Sequence, residues 1–333
     1  MGTRRLRDLS KRQDVRTSLF EICEDRRHRA KQRFDIPVFA DINRALAMRP
    51  DCLIISTPPN HHHKYIQMAL AHELHHFCEV SMWVHDFEHI EAESARKGLI
   101  CAPSCTMQFL PVIKELERVV KDELGTLHAY QMCLSTYAPS WHPGEGSEYY
   151  ARHSATAPAR EMVPFELRWL NEIFGTATEV SGSISRQGQL EIDAYDTICL
   201  QMNLNAGEQG QLVVSMASPR NFRRGCFLGS NGSVAFDVIS GDVSRQVDVP
   251  NDLDVRNFGT LADILECTYK TEIDTFIDTV LGKCRWPLSY RHSSLASATL
   301  AAAEKSVITR KWELVDPSVQ PNDNPPVAAA TCR

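Results

Sequence analysis

The sequence predicts a two-domain chain: an N-terminal α/β domain on a parallel sheet, residues 1–103, then an α+β domain on a large mixed or antiparallel sheet, residues 104–315. A tail at 316–333, with PSVQPNDNPP, is expected to be disordered because it buries little. Three observations carry this. The chain has 333 residues, more than one average domain. Up to about residue 103, short apolar runs alternate with helical patterns, as in a parallel sheet covered by helices. Beyond that, strand-like segments follow one another between Gly, Asn and Asp turns.

The basic start, Arg4, Arg5, Arg7, Lys11 and Arg12 interleaved with Leu6 and Leu9, reads as the solvated face of a helix. The candidate strands of the first domain are LFEIC (19–23), CLIIS (52–56), HHFCEV (75–80) and LICA (99–102). Cys52 to Ile55 is continuously apolar, as a strand buried on both faces must be. Ile66, Ala69 and Leu70 keep helical spacing before the third strand; Val84, Phe87 and Ile90 mark a helix that Gly98 can end. A helix at about 107–121 presents Val112, Ile113, Leu116, Val119 and Val120 on one stripe, with Pro111 in its first turn. Strands are expected near 126–136, 176–187, 194–205, 209–218 and 232–239, and helices near 159–174, 259–282 and 293–307.

A net charge of −6 argues against a nucleic-acid surface, which needs a clustered positive field. No apolar run approaches the roughly 20 residues of a bilayer span, so no membrane partner is expected and the reading is cytoplasmic. Eleven cysteines without a C-x-x-C pair suggest buried thiols in a reducing compartment.

His72-Glu73-Leu74-His75-His76 fits H-E-x-x-H, a zinc-hydrolase pattern that works only on an unbroken helix. Here the helix should already be ending, because HHFCEV is rich in strand formers. His72 and His76 then fall on different elements, and no metal site is expected.

Ligands of open parallel sheets bind beyond the carboxyl ends of the strands. Those positions are Glu24-Asp25, Thr57-Pro58-Pro59, Glu79 and Ser104-Cys105. Glu24 lies 22 residues after Gly2, close to the spacing of about 20 between a phosphate-binding glycine and a ribose-binding acid. The order of the pieces resembles the Gfo/Idh/MocA family of nicotinamide-dependent sugar oxidoreductases over most of the chain. EICEDRRHRA resembles its second strand, acid and following helix; the stretch ending ISTPPNHH resembles its T-P-P-x-x-H loop; FCEVSMW occupies the place of its C-E-K-P.

The resemblance implies a Rossmann-like first domain in which Gly2, Glu24, Thr57, Pro58, Pro59, His62 and Glu79 hold NAD. NADP is the alternative, because Arg26 and Arg27 can pair with a 2′-phosphate. SWHPGEGSEYY and AREMVPFELRWLNEIFG resemble a branch associated with surface-polysaccharide sugars, which implies a sugar or sugar-nucleotide substrate. Trp141 and Ser81 would then contact substrate, and His142, Glu166 and Glu161 are the acid/base candidates, in the order His142 first and Glu166 second. The plainer reading makes Phe165, Trp169 and Leu170 helix core and Glu161 a first-turn acid favoured by the helix dipole. The resemblance also implies a homo-oligomer, paired through the open face of the second-domain sheet.

Three departures matter. Gly2 matches only the last glycine of G-x-G-x-x-G, so the first domain is expected to be incomplete, lacking a central strand of about 5–6 residues and most of its pyrophosphate cradle. Val80 stands where the family has lysine, and Phe165 where it has histidine. The competing reading is therefore a catalytically inactive dehydrogenase fold that binds a sugar or a partner.

Overall fold

The computed structural model describes residues 1–80, 84–140, 156–186, 195–247 and 253–322. The chain forms two compact units. The first comprises Met1–Glu79, Asp86–Thr106 and Glu266–Tyr290; the second comprises Val80–His85, Met107–Leu265 and Arg291–Arg333. The first unit thus takes in a C-terminal stretch, 266–290, that local pattern assigned to the second domain.

In the first unit the order is α1 (Gly2–Leu9), β1 (Leu19–Phe20), α2 (Glu24–Phe34), β2 (Val38–Phe39), α3 (Ile42–Leu46), β3 (Cys52–Ile55), α4 (His62–Ala71), β4 (His75–Cys78), α5 (Phe87–Arg96) and β5 (Cys101–Pro103). The strands are parallel but fall into two sheets, β1-β2 and β3-β4-β5. Among the described residues no strand joins β1 to β3. β4 is the middle strand of the second sheet, and its Phe77 is fully buried with Leu9, Ala102, Ile273 and Phe276. Burying such a ring stabilises the unit by roughly 2–3 kcal/mol. Helix α4 stops at Ala71: His72 is its C-cap, Glu73 adopts φ +57°, and β4 starts at His75. The H-E-x-x-H residues therefore lie on a helix end, a turn and a strand, as the patterning predicts.

The second unit contains α6 (Pro111–Asp122), β6 (Leu127–Tyr137), α7 (Pro158–Phe174), β7 (Ala177–Ser185), β8 (Thr197–Leu204), β9 (Gln209–Ser215), β10 (Ala217–Gly229), β11 (Gly232–Asp237), β12 (Asp242–Val247) and β13 (Asp254–Asn257). Then α8 (Leu261–Val280) leads into the first unit, and α9 (Tyr290–Thr309) and β14 (Glu313–Leu314) complete the second. The nine-stranded sheet runs β13-β12-β11-β10-β6-β9-β8-β7-β14, antiparallel except for the β6–β9 pair, so it is mixed. Alternation along β6 buries Tyr130, Met132 and Leu134 in a core with α7, and points Gln131 and Cys133 to the opposite face.

The tail departs from expectation. β14 pairs with β7, Gln320 donates to Ser294 Oγ (2.8 Å), and Arg160 donates to the Asn322 carbonyl (2.8 Å). Residues 316–322 are thus held by specific hydrogen bonds.

Candidate functional site

The site candidates of the first unit converge where α1 meets the carboxyl ends of β3 and β4. After β3 the chain turns through Thr57-Pro58-Pro59, with Pro59 opening a short 3₁₀ turn where its missing N–H costs nothing. His62, buried at the start of α4, fixes this loop: its Nε2 lies 2.8 Å from the Thr57 carbonyl and donates to it. The Thr57 hydroxyl is buried and has no hydrogen-bond partner among the described residues. An orphaned hydroxyl of this kind suits a polar ligand.

Glu79 extends the ladder of β4 by one bond, its N–H donating to the Ile55 carbonyl (3.0 Å). Arg5 grips its carboxylate at two points, Nε to Oε1 at 2.7 Å and Nη2 to Oε2 at 3.2 Å, and Ser56 Oγ stands 3.4 Å from Oε1. Arg5 is 1% exposed. Its Nη1 donates to the Tyr269 carbonyl (2.9 Å), its Nη2 to Glu272 Oε2 (2.7 Å), and its guanidinium lies 4.7 Å from the Phe77 ring centre. Burial opposes its charge, yet Glu79 and Glu272 more than offset this and hold its pKa above the ordinary arginine value.

Glu272, fully buried on α8, accepts from Ser104 Oγ (2.8 Å), the Cys105 N–H (2.7 Å) and Thr106 Oγ1 (2.8 Å) as well as from Arg5. Every acceptor position of this carboxylate is therefore used, the condition under which a buried charge is tolerated. The basic start of the chain is indeed helical, but Arg5 is core rather than solvated face. Its partners lie 74 and 267 residues away, so no local signal marks it.

The remaining cofactor candidates are placed as follows. Gly2 opens α1 beside the end of β3; a Cβ built on it would meet Ser56 Cβ at an ordinary 3.7 Å, so the backbone there does not demand glycine. Glu24 is exposed in the first turn of α2 and has no side-chain partner among the described residues. LFEIC is ladder only at Leu19–Phe20. Glu21 is instead engaged, accepting from the Cys23 N–H (2.9 Å) and pairing with Arg26 (3.1 Å), while Arg27 donates to the carbonyls of Glu21 and Ile22.

In the second unit, Glu166 is fully buried within α7. Trp169 Nε1 donates to its Oε2 (2.9 Å), and Arg223 Nη2 stands 2.8 Å from Oε1, a charge contact without an aligned hydrogen bond. Burial raises its pKa, against the smaller opposing effects of Arg223 and Trp169. Glu161 is half-buried in the first turn of α7, and Trp169 and Leu170 are core. Trp141, His142 and Ser81 lie outside the described residues, and Glu166 is not brought to a surface where it can meet a substrate in this arrangement.

Residues 1–104 match the family model GFO_IDH_MocA, described as an oxidoreductase family with an NAD-binding Rossmann fold. This match covers the first 104 of the 333 residues. Solved structures with the same fold include an oxidoreductase from Agrobacterium radiobacter in complex with NAD+, L-tartaric acid and magnesium (13% identity, 94% of this chain and 95% of that one, TM-score 0.81). Others are GenD2 from gentamicin A biosynthesis in complex with NAD (19%, 95% and 93%, TM-score 0.79) and levoglucosan dehydrogenase in complex with NADH (13%, 95% and 96%, TM-score 0.78). No curated protein matches the chain. These neighbours, all under 25% identical, share the fold over nearly the whole chain. The orphaned Thr57 hydroxyl and the Arg5-held Glu79 lie at the strand ends, and the unpartnered Glu24 in the first turn of α2.

Proposed function

We propose that this chain moves hydride between a nicotinamide dinucleotide and a hydroxyl or keto carbon of a sugar or sugar nucleotide, in the making of surface-polysaccharide sugars. The observation that carries it is the convergence of the start of α1, the Thr57-Pro58-Pro59 loop and Glu79 at the carboxyl ends of parallel strands in a Gfo/Idh/MocA domain. Glu24 binds the ribose hydroxyls, and NAD is favoured over NADP because Arg26 and Arg27 are already engaged at Glu21 and at backbone carbonyls. The bound nicotinamide supplies the hydride chemistry. The chain's own part is to orient the cofactor and to take the hydroxyl proton.

His142 is the first choice for the proton acceptor, since an imidazole titrates near neutral pH and Glu166 is sequestered by Arg223 and Trp169. Trp141 and Ser81 are assigned to the sugar, from the sequence resemblance. Pairing of two copies through the Gln131/Gln211/Gln201 face of the large sheet is the proposed assembly; sedimentation at micromolar concentration giving only monomer counts against it.

A second reading, a fold that binds a sugar or partner without turnover, is favoured by Val80 and by the burial of Glu166. Titration with NADH and NADPH, followed by nicotinamide fluorescence, and then a screen of sugars and sugar nucleotides for oxidation and reduction, separates the two. Binding with turnover supports the enzyme, and binding of a sugar without any nicotinamide binding supports the second reading.

A further inference from the structure

Glu79 lies just past the end of β4, and its neighbour Val80 has no polar side chain to hold it. Its carboxylate is nonetheless fixed from two elements far away in sequence. Arg5 reaches it from α1, and Arg5 is itself held by Glu272 and the Tyr269 carbonyl on α8. Glu272 in turn ties down Ser104, Cys105 and Thr106, just past the end of β5. One guanidinium therefore joins the ends of all three strands of the β3-β4-β5 sheet: β3 through Ser56 and Glu79, β4 through Glu79, and β5 through Glu272.

The geometry points to Arg5 as a positioning residue, which holds the Glu79 carboxylate against the nicotinamide end of the cofactor, with Glu272 securing Arg5 from behind. This rests on the NAD-binding reading above. Arg5, at 1% exposure, does not itself touch a ligand. The cluster holds two carboxylates and one guanidinium, so it carries one negative charge in excess. A fixed negative charge beside the ring favours oxidised nicotinamide, which is a cation, over the neutral reduced form. The positioning role thus has a signature that loss of stability does not share: the ratio of the dissociation constants for NAD+ and NADH.

The test uses the full chain and the variants Glu79→Gln, Arg5→Lys and the double variant, each titrated with NAD+ and NADH while apo thermal unfolding is recorded. Lysine keeps the charge of Arg5, but as a single point it cannot span both carboxylates and the Tyr269 carbonyl. Glu79→Gln is expected to raise the NAD+/NADH ratio of dissociation constants about fivefold. Arg5→Lys is expected to raise it about threefold, and the double variant to match Glu79→Gln, because the lysine has then nothing left to misplace.

An unchanged ratio in Arg5→Lys together with a lowered melting temperature makes Arg5 purely structural and overturns the proposal. Effects that add in the double variant overturn it as well. Wild-type chain that binds neither nucleotide defeats the cofactor reading and this proposal with it, whereas wild-type binding with indifferent variants defeats the proposal alone. If Arg5→Lys does not fold, Glu272→Gln replaces it, since the amide oxygen keeps the Ser104 and Cys105 contacts while the amide nitrogen gives up the ion pair to Arg5 and the bond accepted from Thr106. The same non-additivity with Glu79→Gln is then expected.

Discussion

Arg5 and Glu79, 74 residues apart, form a two-point ion pair in which the arginine is buried and the carboxylate side chain is 11% exposed. Removing the cation leaves two acids, Glu79 and Glu272, without their shared partner. Loss of one member of a buried pair costs about 3–5 kcal/mol. Arg5→Met is therefore expected to lower the chain's stability by that amount, read as the shift in urea midpoint at constant slope. A change below about 1 kcal/mol, the size of a surface ion pair, would mean that the pair is not buried in solution.

The proposed function assigns the choice of nucleotide to Glu24 and its neighbours. Its carboxylate is the unpartnered charge in the first turn of α2, while Arg26 and Arg27 are tied to Glu21 and to strand-end carbonyls. Glu24→Ser removes the group that would repel a 2′-phosphate. NADPH affinity relative to NADH should rise about tenfold, measured by parallel fluorescence titrations. A preference that does not move would show that the acid plays no part in ribose recognition.

His76 gives the first unit a built-in acid sensitivity. It is fully buried in β4, packed against the Tyr290 ring at 5.8 Å, and neither ring nitrogen makes an aligned hydrogen bond. Burial drives its pKa down to about 4, against a smaller upward pull from the backbone at Leu74. The folded chain thus binds this proton less readily than the unfolded chain, whose histidine titrates near 6.5. Its contribution to stability is complete above pH 6.5 and is lost as pH falls from there towards 4, by about 3 kcal/mol in all. His76→Leu should flatten that part of the stability profile, with the difference between wild type and variant growing as the solution is acidified. Parallel profiles for the two proteins would sink the assignment.

What was legible in the sequence was what depends on local pattern. Cys52 to Ile55 reads as a doubly buried strand and is a strand, but only Ile55 of its four residues is fully buried; the break at His72 that rules out a zinc helix follows from the strand formers after it. β10 escaped because Arg220, Asn221, Arg223 and Arg224 erase its alternation. Gly225, a poor strand former, is there because a side chain at that point would collide with the Gln131 carbonyl and the Phe236 ring. LFEIC shrank to two paired residues because β1 has a single neighbour, β2, and a strand needs partners as well as propensity. The Glu79 position was readable from its motif, but Arg5 and Glu272 were not. An arginine beside two others in a basic helix, and a glutamate on a distant helix, acquire meaning only when the fold brings them together.

The C-terminal segment is a last case of tertiary contact overriding composition. Polar and proline-rich, it cannot form a core of its own, yet Arg160 donates to the Asn322 carbonyl and Gln320 to Ser294. Arg160 is fully buried and paired at two points with Glu304, which also accepts from Tyr195. Removing residues 317–333 deletes the Asn322 carbonyl to which Arg160 Nη2 donates and the Gln320 side chain that donates to Ser294. A buried donor left without its acceptor costs about 1–3 kcal/mol. Truncation after Asp316 is expected to lower the stability by that amount relative to truncation after Asn322, which keeps both contacts. Equal urea midpoints for the two truncated chains would show that the tail docks without contributing to the fold. A loss confined to the shorter chain would place its anchor at Gln320 and Asn322.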